Sequence, residues 1–168
     1  MKLHSLAISG LVTMNLHALN NEGAEGNTMM TRMVEIVDQK GELHTVNAVS
    51  GDMFKHIQAE HLFLEAKQSG LPLCRGCAQF DANRIALDQV LAAEVEQSSE
   101  YEQARQSNTI DSYNLSRVLR ACVLDDCEGI LLTGWAGSRS LARKSCIEFG
   151  WAVGRPEYTR PEHYMHAK

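Results

Sequence analysis

The chain has 168 residues, with 16 basic and 21 acidic side chains, and its formal net charge is −5. Hydrophobic residues make up 44% and charged residues 22% of the chain, which excludes a disordered protein and is sufficient for one domain with a hydrophobic core. Polar side chains interrupt the longest uncharged stretch, so we expect no membrane partner and a cytoplasmic location. The negative charge argues against a nucleic-acid partner, because affinity for phosphate comes mainly from Lys and Arg.

The first half of the chain predicts strands and then a long helix. Alternating apolar side chains predict a strand over residues 5–19, and a loop rich in Gly and Asn follows over residues 20–28. Residues 30–49 are typical of a hairpin whose turn ends at Gly41. A helix is then predicted from Gly51 to about Ser69.

The second half predicts a helical insertion and two further strands. Residues of about 70–121 contain two cysteines and a strongly acidic helical stretch, and strands are predicted over residues 128–135 and 144–153. This order indicates one α+β domain over residues 1–168, with an RRM-like or ferredoxin-like sheet. We expect that sheet to be incomplete at its C-terminal end, because little sequence follows the last strand.

Two constellations are candidates for binding an anion or RNA. In the first, a strand leads into a helix that begins with Ser50 and Gly51 and carries Lys55 near its start, as helix N-termini that bind phosphate do. An ordinary capped helix explains the same pattern and is favoured by the spacing alone. The second is a group of side chains that can contact phosphate, ribose or base edges, and whose simpler explanation is turn chemistry. Its members are Asn15, His17, Asn20, Asn21, Asn27 and Arg32.

The cysteines raise the question of a metal. Cys74 and Cys77 form a C-x2-C pair, whereas Cys122 and Cys127 form only a C-x4-C pair about 45 residues later. The sequence therefore predicts no cofactor and leaves a structural zinc site with these four cysteines as ligands as the less favoured alternative. Cys146 is expected in the core. The pair at residues 125–126 is expected in a turn or a helix cap, because adjacent strand residues face opposite sides.

A basic and aromatic segment closes the chain. Residues 129–168 contain six basic and three acidic side chains with Trp and Tyr interleaved, a composition typical of proteins that bind single-stranded RNA. The candidate contacts in it are Arg139, Arg143 and Lys144. Trp135 and Trp151 are expected to be core residues.

Several segments resemble the DevR-type CRISPR-associated autoregulator family of the RAMP superfamily. They are residues 6–27, 44–62, 71–77, 122–132 and 143–157, of which the run SGDMFKHIQAEHL is the most specific. The resemblance implies a RAMP palm with helical insertions and a backbone subunit of type I Cascade in antiviral defence. Such a subunit binds CRISPR guide RNA, lies beside copies of itself and other Cascade subunits, and contacts target nucleic acid paired to the guide. Because family members are longer, the resemblance also implies that this is their N-terminal portion.

The resemblance assigns RNA contacts to both constellations described above and implies no catalytic residue. Two alternatives stay open. A RAMP ribonuclease that processes CRISPR RNA or cuts target RNA would need a side chain such as His17, Glu22 or Glu25 near the scissile phosphate. A zinc-stabilised interaction module would depend on the cysteines. The acidic stretch of residues 88–102 contains five acidic side chains and no Lys or Arg, which equals the whole charge excess. A locally basic groove is therefore compatible with the net charge.

Overall fold

The structure, a computed structural model, describes residues 4–14, 21–25, 28–159 and 164–165. It divides the chain into two compact units, of which the first comprises Met1–Ser50 with Trp151–Lys168 and the second Gly51–Gly150. Helices occur together with small antiparallel sheets, so the predicted α+β class is confirmed. Within the described ranges, no helix has the length and apolar character needed to cross a bilayer.

In its described residues, the first unit contains two three-stranded sheets. One contains β1 (Asn21–Glu25), β2 (Thr28–Thr31) and β8 (Tyr164–Met165), in the order β1-β2-β8. The other contains β3 (Met33–Val37), β4 (Leu43–Val49) and β7 (Ala152–Val153), in the order β3-β4-β7. All neighbouring strands are antiparallel.

The predicted hairpin over residues 30–49 is confirmed in its main part. Strands β3 and β4 pair from Met33 opposite Asn47 to Val37 opposite Leu43. Gly41 adopts a φ of +85° in the connecting turn, a conformation that L side chains rarely take. Asp38 Oδ1 accepts hydrogen bonds from the backbone amides of Lys40 (2.8 Å) and Glu42 (2.9 Å), which fixes the turn.

Two predictions near the N-terminus are wrong within the described residues. Residues 4–14 contain no regular secondary structure, and the rest of the strand predicted over residues 5–19 lies outside the described residues. Ile8 and Leu11 are 86% and 77% exposed. A strand forms only where a second strand pairs with its backbone, and an alternating pattern does not show whether such a partner exists. The predicted loop instead contains β1, which pairs with β2 around an irregularity between Asn21 and Gly23.

The second unit is mainly helical. Its helices are α1 (Gly51–Ser69), α2 (Arg75–Ala78), α3 (Gln89–Glu96), α4 (Ser99–Gln106), α5 (Ile110–Ala121) and α6 (Val123–Glu128). Helix α1 has its predicted extent, and it is followed by Gly70, whose φ is +66°. The acidic stretch predicted as one helix is divided into a 3₁₀ turn (Arg84–Leu87), α3 and α4. The side chains of Asp88 and Ser98 cap α3 and α4.

One small hairpin completes the second unit. Strands β5 (Ile130–Thr133) and β6 (Ser140–Arg143) pair antiparallel, and a 3₁₀ turn (Trp135–Gly137) lies between them. The strand predicted over residues 144–153 is wrong except for β7. Ser145 explains the difference, because its hydroxyl accepts from the amide of Ile147 (3.1 Å) and lies 2.7 Å from the Ile147 carbonyl oxygen. A side chain that occupies local backbone groups competes with strand pairing.

The core of the second unit joins all these elements. Its fully buried side chains include Ile85, Val95, Val118, Cys77 and Cys122. Trp135 is also buried, as the sequence predicts, whereas Trp151 of the first unit is 51% exposed and corrects the expectation of a core position. Three cysteines therefore belong to this hydrophobic core, Cys74 being the third.

Substitution in the 3₁₀ turn after α2 tests this core. Ile85 is 0% exposed, so Ile85→Ala removes buried methylene groups and leaves a cavity, and we expect the free energy of unfolding to fall by about 2–5 kcal/mol. Leu87 lies in the same turn but is 48% exposed, so Leu87→Ala serves as the control and changes stability by only about 0.5 kcal/mol. Chemical denaturation measures both values, and equal losses would contradict the placement of Ile85.

Candidate functional site

The residues of the predicted Asn and His group are described only in part. Asn15, His17, Asn20 and Asn27 lie outside the described residues. Asn21 begins β1. The assignment of these asparagine and histidine residues to RNA therefore stays a prediction. Arg32 is the member of the group whose side chain is described.

Arg32 forms a cation–π pair with an exposed tryptophan. Its guanidinium carbon lies 4.9 Å from the centroid of the Trp151 ring. The pair flanks the end of β4, because the Arg32 carbonyl accepts from the amide of Ala48 (3.0 Å) and Trp151 precedes β7, the other neighbour of β4. A half-exposed indole beside a guanidinium offers a base both a stacking surface and a positive charge.

A second pair of the same kind follows β7. The guanidinium carbon of Arg155 lies 5.2 Å from the ring centroid of Tyr158, and Tyr158 is 79% exposed. A short turn holds this pair, since the amide of Tyr158 donates to the carbonyl of Arg155 (2.9 Å). We call Arg32–Trp151 and Arg155–Tyr158 the Arg–aromatic pairs. The sequence indicated the aromatic enrichment of this segment but not that Trp151 is exposed.

The predicted anion-binding segment begins α1. Lys55 lies in the second turn of the helix and is partly buried. Gly51 is buried, and a Cβ there would overlap the backbone carbonyl of Phe149, so close packing requires glycine. The rings of Phe54 and Phe149 stack at 6.4 Å over the same contact. Gly51 is therefore required for packing against Phe149, which the sequence pattern around it does not reveal. Ser50, partly buried, precedes the helix.

The basic residues around β6 are used differently from one another. Arg143 binds Asp126 through Nε (3.1 Å) and Nη2 (2.7 Å), and this ion pair joins β6 to α6. Lys144 forms an exposed pair with Glu148 at 3.1 Å, which contributes little in water. Arg139 is exposed just before β6. Of these three residues, Arg143 thus serves internal structure, whereas Arg139 and Lys144 leave their charge at the surface.

A cluster of metal-binding side chain types lies in the core of the second unit. Its sulfur and carboxylate atoms all lie within 4.8 Å of one another, and every member is buried. The members are Cys74, Cys77, Cys122 and Asp125, and we call them the cysteine–aspartate cluster. Asp125 Oδ2 lies 3.4 Å from Cys74 Sγ and 3.7 Å from Cys77 Sγ. Among the described residues, Oδ1 of the same buried carboxylate has no hydrogen-bond partner.

Two short helices build the cluster in the same way. Cys74 precedes α2 and Cys77 lies in it, and Cys74 Sγ accepts from the Cys77 amide at 3.4 Å. Cys122 precedes α6, and Asp125 lies in its first turn. The segments are thus C-x2-C and C-x2-D. A hydrogen bond from the amide of Val123 to the carbonyl of Pro72 (3.0 Å) holds them together.

The structure does not bring Cys127 into this cluster. Cys127 follows Asp125 by two residues in α6, which is a rotation of about 200° around the helix axis, so Cys127 cannot share the face of Asp125. Cys127 is half-buried in α6, and its carbonyl accepts from the Cys146 amide at 2.9 Å. Cys146 is exposed, which corrects its expected core position. The sequence signal that finds Asp125 is the second C-x2 spacing, which a search for cysteines alone overlooks.

Electrostatic interactions in the cluster favour the charged form of Cys122 and disfavour the charged forms of its other three members. Hydrogen bonds from Cys74 and Cys77 lower the pKa of the Cys122 thiol, and the same bonds raise the pKa of Cys74 and Cys77. Burial, with the nearby Cys122 sulfur as the next cause, raises the pKa of Asp125 from 3.8 to about 7. Arg84 attracts the Asp125 carboxylate and donates from Nη1 to the carbonyl of Gly129 at 2.7 Å.

Comparison with known proteins gives one family. The family described as CRISPR-associated negative auto-regulator DevR/Csa2 matches residues 8–168. No curated protein matches the chain. The match extends over both units and includes the Arg–aromatic pairs, Lys55 and the cysteine–aspartate cluster.

Close packing at Gly76, beside the cysteine–aspartate cluster, predicts that an added methyl group lowers stability. A Cβ at Gly76 would overlap the backbone carbonyl of Arg84, so Gly76→Ala must displace the turn after α2. We expect the free energy of unfolding to fall by about 1–3 kcal/mol, as for other overpacked sites. Gly150→Ala is the control, because a Cβ there has no neighbour within 4 Å. Thermal and chemical denaturation would refute the contact if both variants behaved alike.

Proposed function

The chain belongs to the CRISPR-associated negative auto-regulator DevR/Csa2 family, and we propose on this basis that it is a guide-RNA-binding backbone subunit of a type I Cascade complex. The family match over residues 8–168 carries the proposal. Copies of the chain lie side by side along one guide RNA, together with other Cascade subunits in the cytoplasm. The protein holds RNA and does not cleave it.

The Arg–aromatic pairs support a mode of binding that is indifferent to sequence. A base has a π-face whatever its identity, so Trp151 and Tyr158 can stack on any nucleotide while Arg32 and Arg155 contact phosphate or ring. Lys55 adds a charge near the beginning of α1. Target specificity then comes from base pairing between guide and target nucleic acid. Weak contacts from each copy combine because many copies share one RNA.

Co-expression with a CRISPR array tests the whole proposal. The purified protein should carry RNA of guide length, and the intact protein should leave a labelled guide precursor and a labelled target RNA uncut. An empty preparation from cells that express the array and the other Cascade subunits would refute RNA binding. Cleavage by the purified chain would instead establish the ribonuclease alternative.

Charge removal in α1 tests the assignment of Lys55. Loss of one phosphate contact to a single strand should lower the salt slope of the binding constant by about 0.7, which corresponds to about fivefold weaker binding at about 0.1 M salt. Lys67→Ala in the same helix is the matched control, because Lys67 Nζ lies 5.1 Å over the Phe63 ring near the other end of α1. Titrations of Lys55→Ala with several RNA sequences should show equal losses. An unchanged slope would exclude Lys55 from the RNA contact.

Ring removal tests the Arg–aromatic pairs. Stacking of one base contributes about 1–3 kcal/mol, so Trp151→Ala should weaken binding of single-stranded RNA by about 5- to 150-fold without changing the salt slope. Trp151→Phe keeps a ring for stacking and should retain most of the affinity. Because Trp151 is 51% exposed, circular dichroism should show an intact fold in both variants. Equal affinities of Trp151→Ala and the unmodified chain would contradict stacking.

A further inference from the structure

Three thiols and one carboxylate converge in the core of the second unit without access to solvent. The cysteines of the cysteine–aspartate cluster are 0–3% exposed and Asp125 is 0% exposed. All cysteines of the chain are free, so no disulfide explains the convergence. A catalytic thiol needs contact with a substrate, and a redox thiol needs access to an oxidant or reductant from solution, and this burial prevents both.

The distances in the cluster fit a tetrahedral metal ion. Bonds of about 2.3 Å from zinc to sulfur and about 2.0 Å from zinc to oxygen, at the tetrahedral angle, separate sulfur and oxygen by about 3.5 Å. The observed separations of Asp125 Oδ2 from Cys74 Sγ and Cys77 Sγ are 3.4 Å and 3.7 Å. The atoms therefore need no large rearrangement to receive an ion.

The carboxylate gives an independent indication of a ligand. Asp125 Oδ1 is buried and has no hydrogen-bond partner among the described residues. Asp125 Oδ2 has weak contacts with the thiols of Cys74 and Cys77. A buried carboxylate is costly unless it is paired, hydrogen-bonded or coordinated to a metal. A cation between the four side chains removes that cost and also the repulsion between neighbouring thiolates.

We propose that the cysteine–aspartate cluster binds one structural zinc ion. Three thiolates and one carboxylate oxygen complete a closed four-coordinate shell, so the ion has no open position for a substrate. The ion joins α2 to the beginning of α6 and thereby encloses residues 78–121, which contain α3, α4 and α5. The amide of Cys77, which donates to Cys74 Sγ, orients that ligand as outer-shell hydrogen bonds do in other metal sites.

Metal analysis of the full chain, purified without a histidine tag or chelators, is the first test. We expect about one zinc per chain by elemental mass spectrometry, or the uptake of one equivalent by freshly reduced protein in competition with a chromophoric chelator. Protein that neither contains zinc nor takes it up overturns the proposal, and so does protein that contains a different metal at the cluster. RNA is absent from this measurement, so its outcome is separate from that of the proposed function.

Variants identify the ligands. Cys122→Ser should weaken zinc binding by about 100-fold or more, since the loss of outer-shell partners alone costs about 10- to 100-fold. Cys127→Ser and Cys146→Ser are matched controls, because both thiols lie outside the cluster, and they should retain one zinc. Loss of zinc in either control, or its retention in Cys122→Ser, overturns the ligand set.

A substitution that keeps a metal ligand at position 125 distinguishes a change of ligand from misfolding. Asp125→Cys replaces the carboxylate with a fourth thiolate and should still bind one equivalent of metal. In cobalt-substituted protein, the charge-transfer absorption from thiolate to metal should rise by about one third, because four thiolates contribute instead of three. An absorption that stays unchanged in Asp125→Cys would exclude Asp125 from the ligand set.

Discussion

The second unit buries three thiols and one carboxylate at the centre of its core, and the rest of the unit depends on this constraint. A buried thiol tolerates apolar neighbours, but the carboxylate of Asp125 does not, and its desolvation must be offset by partners within reach. Those partners come from two separate segments, before α2 and before α6, which must therefore lie side by side. The bond from Val123 to Pro72 and the tight approach of Gly76 to Arg84 maintain that arrangement. The helices between the two segments pack around it.

Local signals in the sequence predicted the elements that are determined locally. The hairpin around Gly41 and the extent of helix α1 follow from turn chemistry, capping and periodicity, all of which act within a few residues. The strands predicted over residues 5–19 and 144–153 failed for a different reason. A strand needs a partner, and neither the irregular residues 4–14 nor the local hydrogen bonds of Ser145 could be read from alternation alone.

The candidate sites show the same limit. Cysteine spacing indicated Cys74, Cys77 and Cys122, but the fourth position depended on which face of a helix points inward. Cys127 was the candidate for the fourth ligand because no helix was predicted over residues 123–128. Once α6 begins after Cys122, the first turn brings Asp125 to the cluster, and the same rotation takes Cys127 away. Residue type alone therefore selected the wrong partner, whereas helix geometry selects a carboxylate.

The net charge of −5 has a different meaning when it is divided between the two units. The first unit carries six basic and seven acidic side chains, and the second carries ten basic and fourteen acidic side chains. The acidic excess thus belongs mainly to the unit that contains α3 and α4, and one of its charges, Asp88, is buried as the cap of α3. Both Arg–aromatic pairs belong to the nearly neutral first unit. The net charge of the whole chain therefore does not by itself argue against the RNA binding proposed for these pairs.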